Sequence, residues 1–294
     1  MRRPQELIGV QLLAGGVQFK VTANNVIAAL KPLIIAIGLD APLQRAMERD
    51  QGPALRFVDR HTQRLVGSLH LRRIRVRQAG DAQIGLFDVV NDRQRCLRWP
   101  YRPWNRYLQN RAALKNDRPG NFSMAPKPLQ QIMIFYICPR PVVLVSVDDG
   151  RHSNIFPMDL IGPLVPDVFT LALRSSSQSV GTMKRARRVA LSDIAASDVK
   201  IAHALGTHHK QMQVDWDKLP FAIEPSLHFS LPVPATALRV REIEIIDHEE
   251  IGSHTFFICR IVSERYVREG DQLHHTSGIY EHFRIDQGKP LRRP

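Results

Sequence analysis

Apolar and polar residues alternate along many short stretches of the chain, and helical spacing of apolar residues is rare. The pattern predicts strands joined by turns, with few helices. In the first third, Gly15 and Gly16 precede the alternating segment Val17-Gln18-Phe19-Lys20-Val21, which Asn24 and Asn25 end. Residues 55–58, 65–76 and 84–90 then read as an antiparallel meander with turns at 59–61 and 79–81. Within it Ile74 and Val76 alternate with Arg73, Arg75 and Arg77, which puts the arginines on one solvated face. The apolar run 26–39 contains Lys31 and Pro32 and is shorter than the roughly 20 residues a membrane span needs, so it predicts a buried helix or a strand pair.

Further along, the clearest strands are 142–147, 168–173, 238–246 and 254–262. Helical character is confined to 129–136, 180–188 and a weaker stretch at 199–205. Strands with so few helices predict a β-rich α+β protein whose second part is a small closed or partly closed barrel. They fit a dinucleotide-binding Rossmann domain poorly, and no GxGxxG opens a helix. No internal repeat or low-complexity tract is evident in the sequence.

Length changes this picture, because 294 residues exceed what one small barrel requires. Two regions are expected, a basic mixed α/β region over 1–120 and the barrel over 121–294, with a linker at 115–121 and Pro126 and Pro128 stiffening its end. Charge separates the same two regions. Of the net +13, residues 1–125 hold 21 Lys+Arg against 9 Asp+Glu (21 − 9 = +12), and the remainder hold 20 against 19 (+1). Any acidic or nucleic-acid partner would therefore meet the N-terminal region. There the segment 99–107 interleaves Trp99, Tyr101, Trp104 and Tyr107 with Arg102 and Arg106, as a base-stacking, phosphate-neutralising surface would. The favoured reading is that these aromatics pack the approach to a connecting helix at 105–114 while the arginine stems snorkel, which leaves nucleic acid the less favoured partner.

Cys96, Cys138 and Cys259 are odd in number and widely spaced, without a CxxC pair, so a disulfide framework is not expected and a cytoplasmic location is. The start, with Arg2 and Arg3 before residues 7–13, faintly imitates a signal peptide. Glu6, Gly9 and Gln11 interrupt it, and export is not expected.

Candidate chemistry concentrates in residues 141–194. A strand turned by Asp148-Asp149-Gly150 is followed by an extended segment at 154–162 and by a strand that delivers Arg174 into Ser175-Ser176-Ser177-Gln178-Ser179 at the start of a helix. A guanidinium, several hydroxyls and a helix N-terminus together suit an anion. A Ser-rich turn with a helix cap accounts for the same residues equally well. His203, His208, His209, His274 and His275 lack the spacing of a common zinc site, and no Cys or Glu completes one, so no metal is expected. No GxSxG elbow is present for nucleophilic catalysis.

The order of these pieces resembles the flavin reductase-like family of FMN-binding split barrels, its flavoredoxin branch in particular. The likeness continues through 214–221, a late strand at 252–262, and His274-His275-Thr276-Ser277-Gly278-Ile279-Tyr280, and covers roughly residues 129–284. It implies an FMN-binding split β-barrel that acts as an NAD(P)H-dependent flavin reductase or related oxidoreductase, passing hydride to flavin N5. It also implies a homodimer with the flavin near the subunit boundary, and an electron-accepting protein or monooxygenase as partner. The phosphate would meet Arg174, Ser175, Ser176, Ser177 and Ser179 with Lys184 nearby. The isoalloxazine would lie along Phe156, Pro157, Met158, Asp159, Leu160 and Ile161, a segment that Asn154 holds in shape. His254, His275 and Tyr280 would stand near the outer face of the flavin, as catalytic candidates. Family members often carry Thr or Ser where this chain has Pro157-Met158-Asp159, so the resemblance does not carry over the polar contacts to the ring at these positions. Two other functions fit the chain: a flavoredoxin-like electron carrier without enzymatic activity, and a nucleic-acid-binding protein acting through the basic N-terminal region.

Overall fold

The computed structural model describes residues 6–50, 52–80, 82–97 and 124–291, together with Tyr101, Trp104 and Arg111. Seven strands build an N-terminal sheet: β1 (Ile8–Ala14), β2 (Val17–Lys20), β3 (Asn25–Leu30), β4 (Leu33–Leu39), β5 (Ala54–Asp59), β6 (Arg64–Ala79) and β7 (Ala82–Gln94). The alternation of β1 aims Ile8, Val10, Leu12 and Ala14 at the core. The apolar run 26–39 is the antiparallel pair β3–β4. Helix α1 (Ala41–Arg49) follows β4 directly. The Asp40 carboxylate accepts the Leu43 amide at 2.9 Å, and Leu43 and Met47, four residues apart, bury one face.

Helix α2 (Pro126–Phe135) and the short strand β8 (Arg140–Pro141) lead into a second sheet. Its strands are β9 (Val143–Asp148), β10 (Ser153–Met158), β11 (Ile161–Val165), β12 (Val168–Arg174), β13 (Arg188–Asp193), β16 (Arg239–Ile251) and β17 (His254–Tyr266). A small pair, β14 (Ile223–Pro225) with β15 (Pro232–Pro234), and β18 (His274–His275), which pairs with β8, complete the strands. Helix α3 (Ser179–Ala186) lies between β12 and β13, α4 (Val199–Ala204) follows β13, and α5 (Gly278–Asp286) ends the fold. The β-rich α+β class read from the sequence is the observed one. No described helix is long and apolar enough to cross a membrane.

The N-terminal sheet runs in the order β2-β1-β5-β6-β7-β4-β3, and the second sheet β10-β9-β13-β16-β17-β12-β11. Numbered within its own sheet, the second order is also 2-1-5-6-7-4-3. The fold therefore repeats a topology where the sequence shows no repeat. Strand order is fixed by which apolar faces can be buried together, and many residue sets satisfy the same order.

A large core joins the two sheets. It unites Ile8, Ile35, Phe57 and Phe87 with Leu160, Leu164, Phe256 and Ile258, and with Phe135, Tyr280 and Phe283 from the helices. A separate core inside the second sheet, including Val145, Phe156, Leu171 and Phe257, is closed by Val180 and Met183 of α3. Backbones meet where β4 touches β11, since a Cβ on Gly38 would lie 1.8 Å from the Leu164 carbonyl oxygen.

The arginine face of β6 meets expectation in part: Arg73 and Arg75 are exposed, whereas Arg77 is not. A register shift between Arg73 and Arg75 breaks the alternation and leaves Ile74 and Val76 exposed. Arg75 pairs with Glu249, and Arg77 with both Asp247 and Glu249 of β16, so these two side chains join the sheets where a solvated face was expected. The helix expected at 105–114, the linker at 115–121 and the aromatic cluster at 99–107 lie outside the described residues, apart from Arg111 and the exposed Tyr101 and Trp104.

Candidate functional site

Pairing of β12 with β17 sets Arg174, the last residue of one, opposite His254, the first of the other. Burial and the neighbouring Arg174 charge depress the His254 pKa to about 4, so this imidazole is neutral at ordinary pH. Its Nδ1 lies 2.9 Å from Ser253 Oγ and accepts the Leu30 amide at 3.5 Å. His209 is held below the usual imidazole value by the same causes, burial first and Arg174 second. The guanidinium thus lies beside two imidazoles that its own charge helps keep neutral.

The serine loop is partly committed to the fold. Ser175 Oγ is 3.1 Å from Thr255 Oγ1, the buried Ser177 hydroxyl donates to the His209 carbonyl at 2.5 Å, and buried Ser179 accepts from Asn154 Nδ2 at 3.1 Å. Asn154 also donates to the carbonyls of His208 and Gln211, each at 2.8 Å, and so ties the 208–211 segment to the start of α3. Ser176 is exposed, and Lys184 reaches Glu250 at 3.4 Å. Arg174 with Ser175 and Ser176 therefore offers the accessible donors, while Ser177, Ser179 and Asn154 shape the loop that carries them.

At the far end of β10 a second group gathers around Asp159. The Tyr136 hydroxyl donates to Asp159 Oδ2 at 2.9 Å, and His275 Nδ1 lies 2.6 Å from the same oxygen. The Tyr136 and His275 ring centroids lie 4.2 Å apart, with the rings tilted by 34°. Burial alone would lower the His275 pKa and raise that of Asp159. Their mutual hydrogen bond and charge reverse both, raising His275 and lowering Asp159. Burial and the Asp159 carboxylate push the Tyr136 phenol well above its ordinary value, so it stays protonated and donates. His275, half-exposed, is the member of this group that can present a proton to solvent or ligand.

The predicted residues thus fall into two groups, one reached from Asn154 near the start of β10 and one from Asp159 just beyond its end, these two residues being about 17 Å apart along the extended chain. Between them Phe156, Met158 and Ile161 turn into the inner core and Leu160 into the joint core, leaving Pro157 and Asp159 as the more accessible side chains of that segment. Tyr280 is placed apart from both groups. It is fully buried in α5, its hydroxyl donates to Asp59 at 2.9 Å, and burial and that carboxylate raise its pKa. Sequence reading missed Tyr136, whose only signal was a phenol ending an apolar helix, and Asp159 as the hub that joins it to His275. Among the described residues no group of three or more His, Cys, Asp or Glu is placed to hold a metal. A cavity of about 880 Å³ lies elsewhere, lined by Arg64, Arg93 and Arg95 with Phe283, and contains none of the predicted site residues.

The residues present suit a phosphate-bearing cofactor at the Arg174 end, by donor type and placement. The model of the flavin reductase-like domain family matches residues 135–283, just over half of the chain. The chain belongs to the flavin reductase-like family. Among solved structures it is similar to the NADH:FAD oxidoreductase of Streptomyces globisporus (20% identity, 54% of this chain and 95% of that one, TM-score 0.45). It is also similar to the styrene monooxygenase flavin reductase of Pseudomonas putida (15%, 50% and 92%, 0.42) and to an FMN-binding protein of Thermus thermophilus (23%, 44% and 71%, 0.39). With every one of these scores below 0.5, the family assignment rests on the domain match. A comparison with curated protein sequences found no match.

The buried neutral His254 has a consequence for stability. Its pKa is about 4 in the fold against about 6.5 when unfolded, so the unfolded chain takes up a proton first as pH falls. Its contribution is whole above about pH 6.5 and is lost on acidification toward pH 4, by roughly 3 kcal/mol. The melting temperature should fall over that window, and His254→Gln should flatten the fall. An identical pH profile in the variant would show that His254 does not carry it.

Proposed function

We propose that the chain is an FMN-binding oxidoreductase that takes electrons from NADH or NADPH. The observation that carries this reading, within the family shown, is the placement of Arg174 opposite neutral His254 at the strand ends beside the serine loop. Arg174 would bind the FMN phosphate with charge-assisted hydrogen bonds, helped by Ser175 and Ser176 and by Lys184 at longer range. Ser177, Ser179 and Asn154 would hold the loop, and backbone groups of 156–161 would face the flavin ring. A flavin held there would supply the redox chemistry between the reduced nicotinamide and an electron acceptor. The chain's own work is alignment of two rings and control of a proton. His275, kept basic by Asp159 and packed against the Tyr136 ring, is the proton-holding residue. His254, uncharged, would line the ligand without competing with Arg174 for the phosphate. Tyr280 is proposed to support the core.

The test is FMN titration of the full chain beside its Arg174→Ala variant. Truncation of a charged hydrogen-bonding partner costs about 1.5–3 kcal/mol, so affinity should fall roughly 10- to 150-fold with the fold retained. FMN should also bind more tightly than riboflavin, which lacks the phosphate. Equal affinity for both ligands, or an unchanged dissociation constant in the variant, would remove the phosphate site from this reading.

A further inference from the structure

The two sheets share more than strand order. In each, a helix follows the fourth strand, α1 in one and α3 in the other. In each, the hairpin of third and fourth strands carries one register shift, and the long hairpin of sixth and seventh strands carries two. Seven strands in a non-sequential order, one helix in the same connection and three matching irregularities constitute one supersecondary plan used twice.

The two units also meet through equivalent parts. Third strand faces third strand (β3 with β11), and each third strand faces the other unit's fourth (β3 with β12, β11 with β4). Sixth strand reaches sixth strand through Arg75 and Arg77 of β6 and Asp247 and Glu249 of β16. A surface that meets its own equivalent is the signature of a twofold, isologous interface between subunits. Here the charges are opposite on the two sides. Two N-terminal units would set arginine against arginine at this place, and two C-terminal units would set carboxylate against carboxylate, each pairing repulsive.

At the anion-binding loop the units differ. The C-terminal unit ends its fourth strand at Arg174 opposite His254, and residues 175–178 intervene before α3. The N-terminal unit ends its fourth strand at Leu39 opposite Gln83, and only Asp40 intervenes before α1. The Asp40 carboxylate already accepts from that helix terminus at 2.9 Å, so an incoming anion would meet a negative charge, with Leu39 in the place of Arg174. The N-terminal unit instead contributes to its neighbour. At the tip of its third hairpin the Lys31 amide donates to Ser253 Oγ at 3.0 Å, the Ser253 amide donates to the Lys31 carbonyl at 2.9 Å, and Leu30 donates to His254.

We propose that the N-terminal half is a second barrel unit that occupies, within one chain, the place a second subunit would take, and that has given up its own anion site. One chain is then a complete working unit with a single phosphate-type ligand site, bounded at Ser253 and His254 by the N-terminal hairpin. The identity of the ligand as FMN rests on the function proposed above, whereas the pairing of units does not.

The experiment joins calorimetric FMN titration of the full chain with measurement of particle mass by light scattering, across a hundredfold range of protein concentration. A particle of one chain that binds one FMN, with affinity independent of protein concentration, is the expected result. Two FMN per chain, or FMN carried only by a two-chain particle and lost on dilution, would overturn the proposal. If FMN binds under no condition, the flavin reading fails and mass alone decides: a one-chain particle supports the pairing, and an obligate two-chain particle overturns it.

Discussion

A chain shortened to begin at Asn121 is expected to be insoluble or to fold without binding flavin, although every proposed pocket residue lies beyond that point. The reason is the joint core. Shortening would strip cover from Leu160, Leu164, Ala172, Phe256, Ile258 and Tyr280, which pack with the N-terminal sheet. Burial of a large apolar side chain contributes about 1.5–3 kcal/mol, so the five large ones, even partly uncovered, rival the roughly 5–15 kcal/mol that holds a whole domain. Polar groups would be orphaned too. Buried Arg140 would lose its 2.9 Å bond to the Asn25 carbonyl, and Tyr280 would lose Asp59. Expression of the shortened chain, followed by circular dichroism and FMN titration, checks this. A soluble, cooperatively melting, flavin-binding fragment would mean that the region before 121 is a dispensable accessory.

Gly38→Val is expected to be nearly as damaging within the full chain. The added Cβ would lie 1.8 Å from the Leu164 carbonyl oxygen and 2.5 Å from its carbon, so backbone rather than a flexible side chain must yield. Overpacking commonly costs about 1–3 kcal/mol where side chains can shift, and a backbone collision between β4 and β11 should reach or exceed the top of that range. Melting temperature and FMN affinity should fall together, because the strands that separate lead directly to the hairpins around His254. Gly278→Ala serves as the comparison, since nothing lies within 4 Å of its added Cβ and Gly278 opens α5. It should be neutral or slightly stabilising. Equal tolerance of both substitutions would show that the contact at Gly38 is not close in solution.

Much of the second sheet was legible in the sequence because its strands are short, alternating and bounded by turn residues. The segments 142–147 and 168–173 fall within one residue of β9 and β12, and α3 begins one residue before its expected start. The Arg174 loop was legible for the same reason, being one contiguous stretch. What stayed hidden was whatever depends on partners distant in sequence. His254 faces Arg174 across 80 positions, and His275 reaches Asp159 across 116. Period-two alternation states which side of a strand is buried but not which strand lies beside it. The ion pairs of Arg75 and Arg77 were hidden because nothing local reveals that Asp247 and Glu249 lie opposite, about 170 residues on. The duplicated topology was invisible for a related reason. Leu39 and Gln83 hold the positions of Arg174 and His254, so the two units differ at the residues by which a likeness would be noticed.

The most direct measurement for the central claim is anaerobic mixing of the FMN-loaded full chain with NADH and, separately, NADPH, while the visible absorbance of the flavin is followed. Bleaching at least tenfold faster than that of free FMN at the same concentration, and slowed in the Arg174→Ala variant at subsaturating FMN, is the expected result. FMN that is not retained, or bound flavin that neither nucleotide bleaches faster than free FMN, would contradict the assignment as an FMN-binding oxidoreductase.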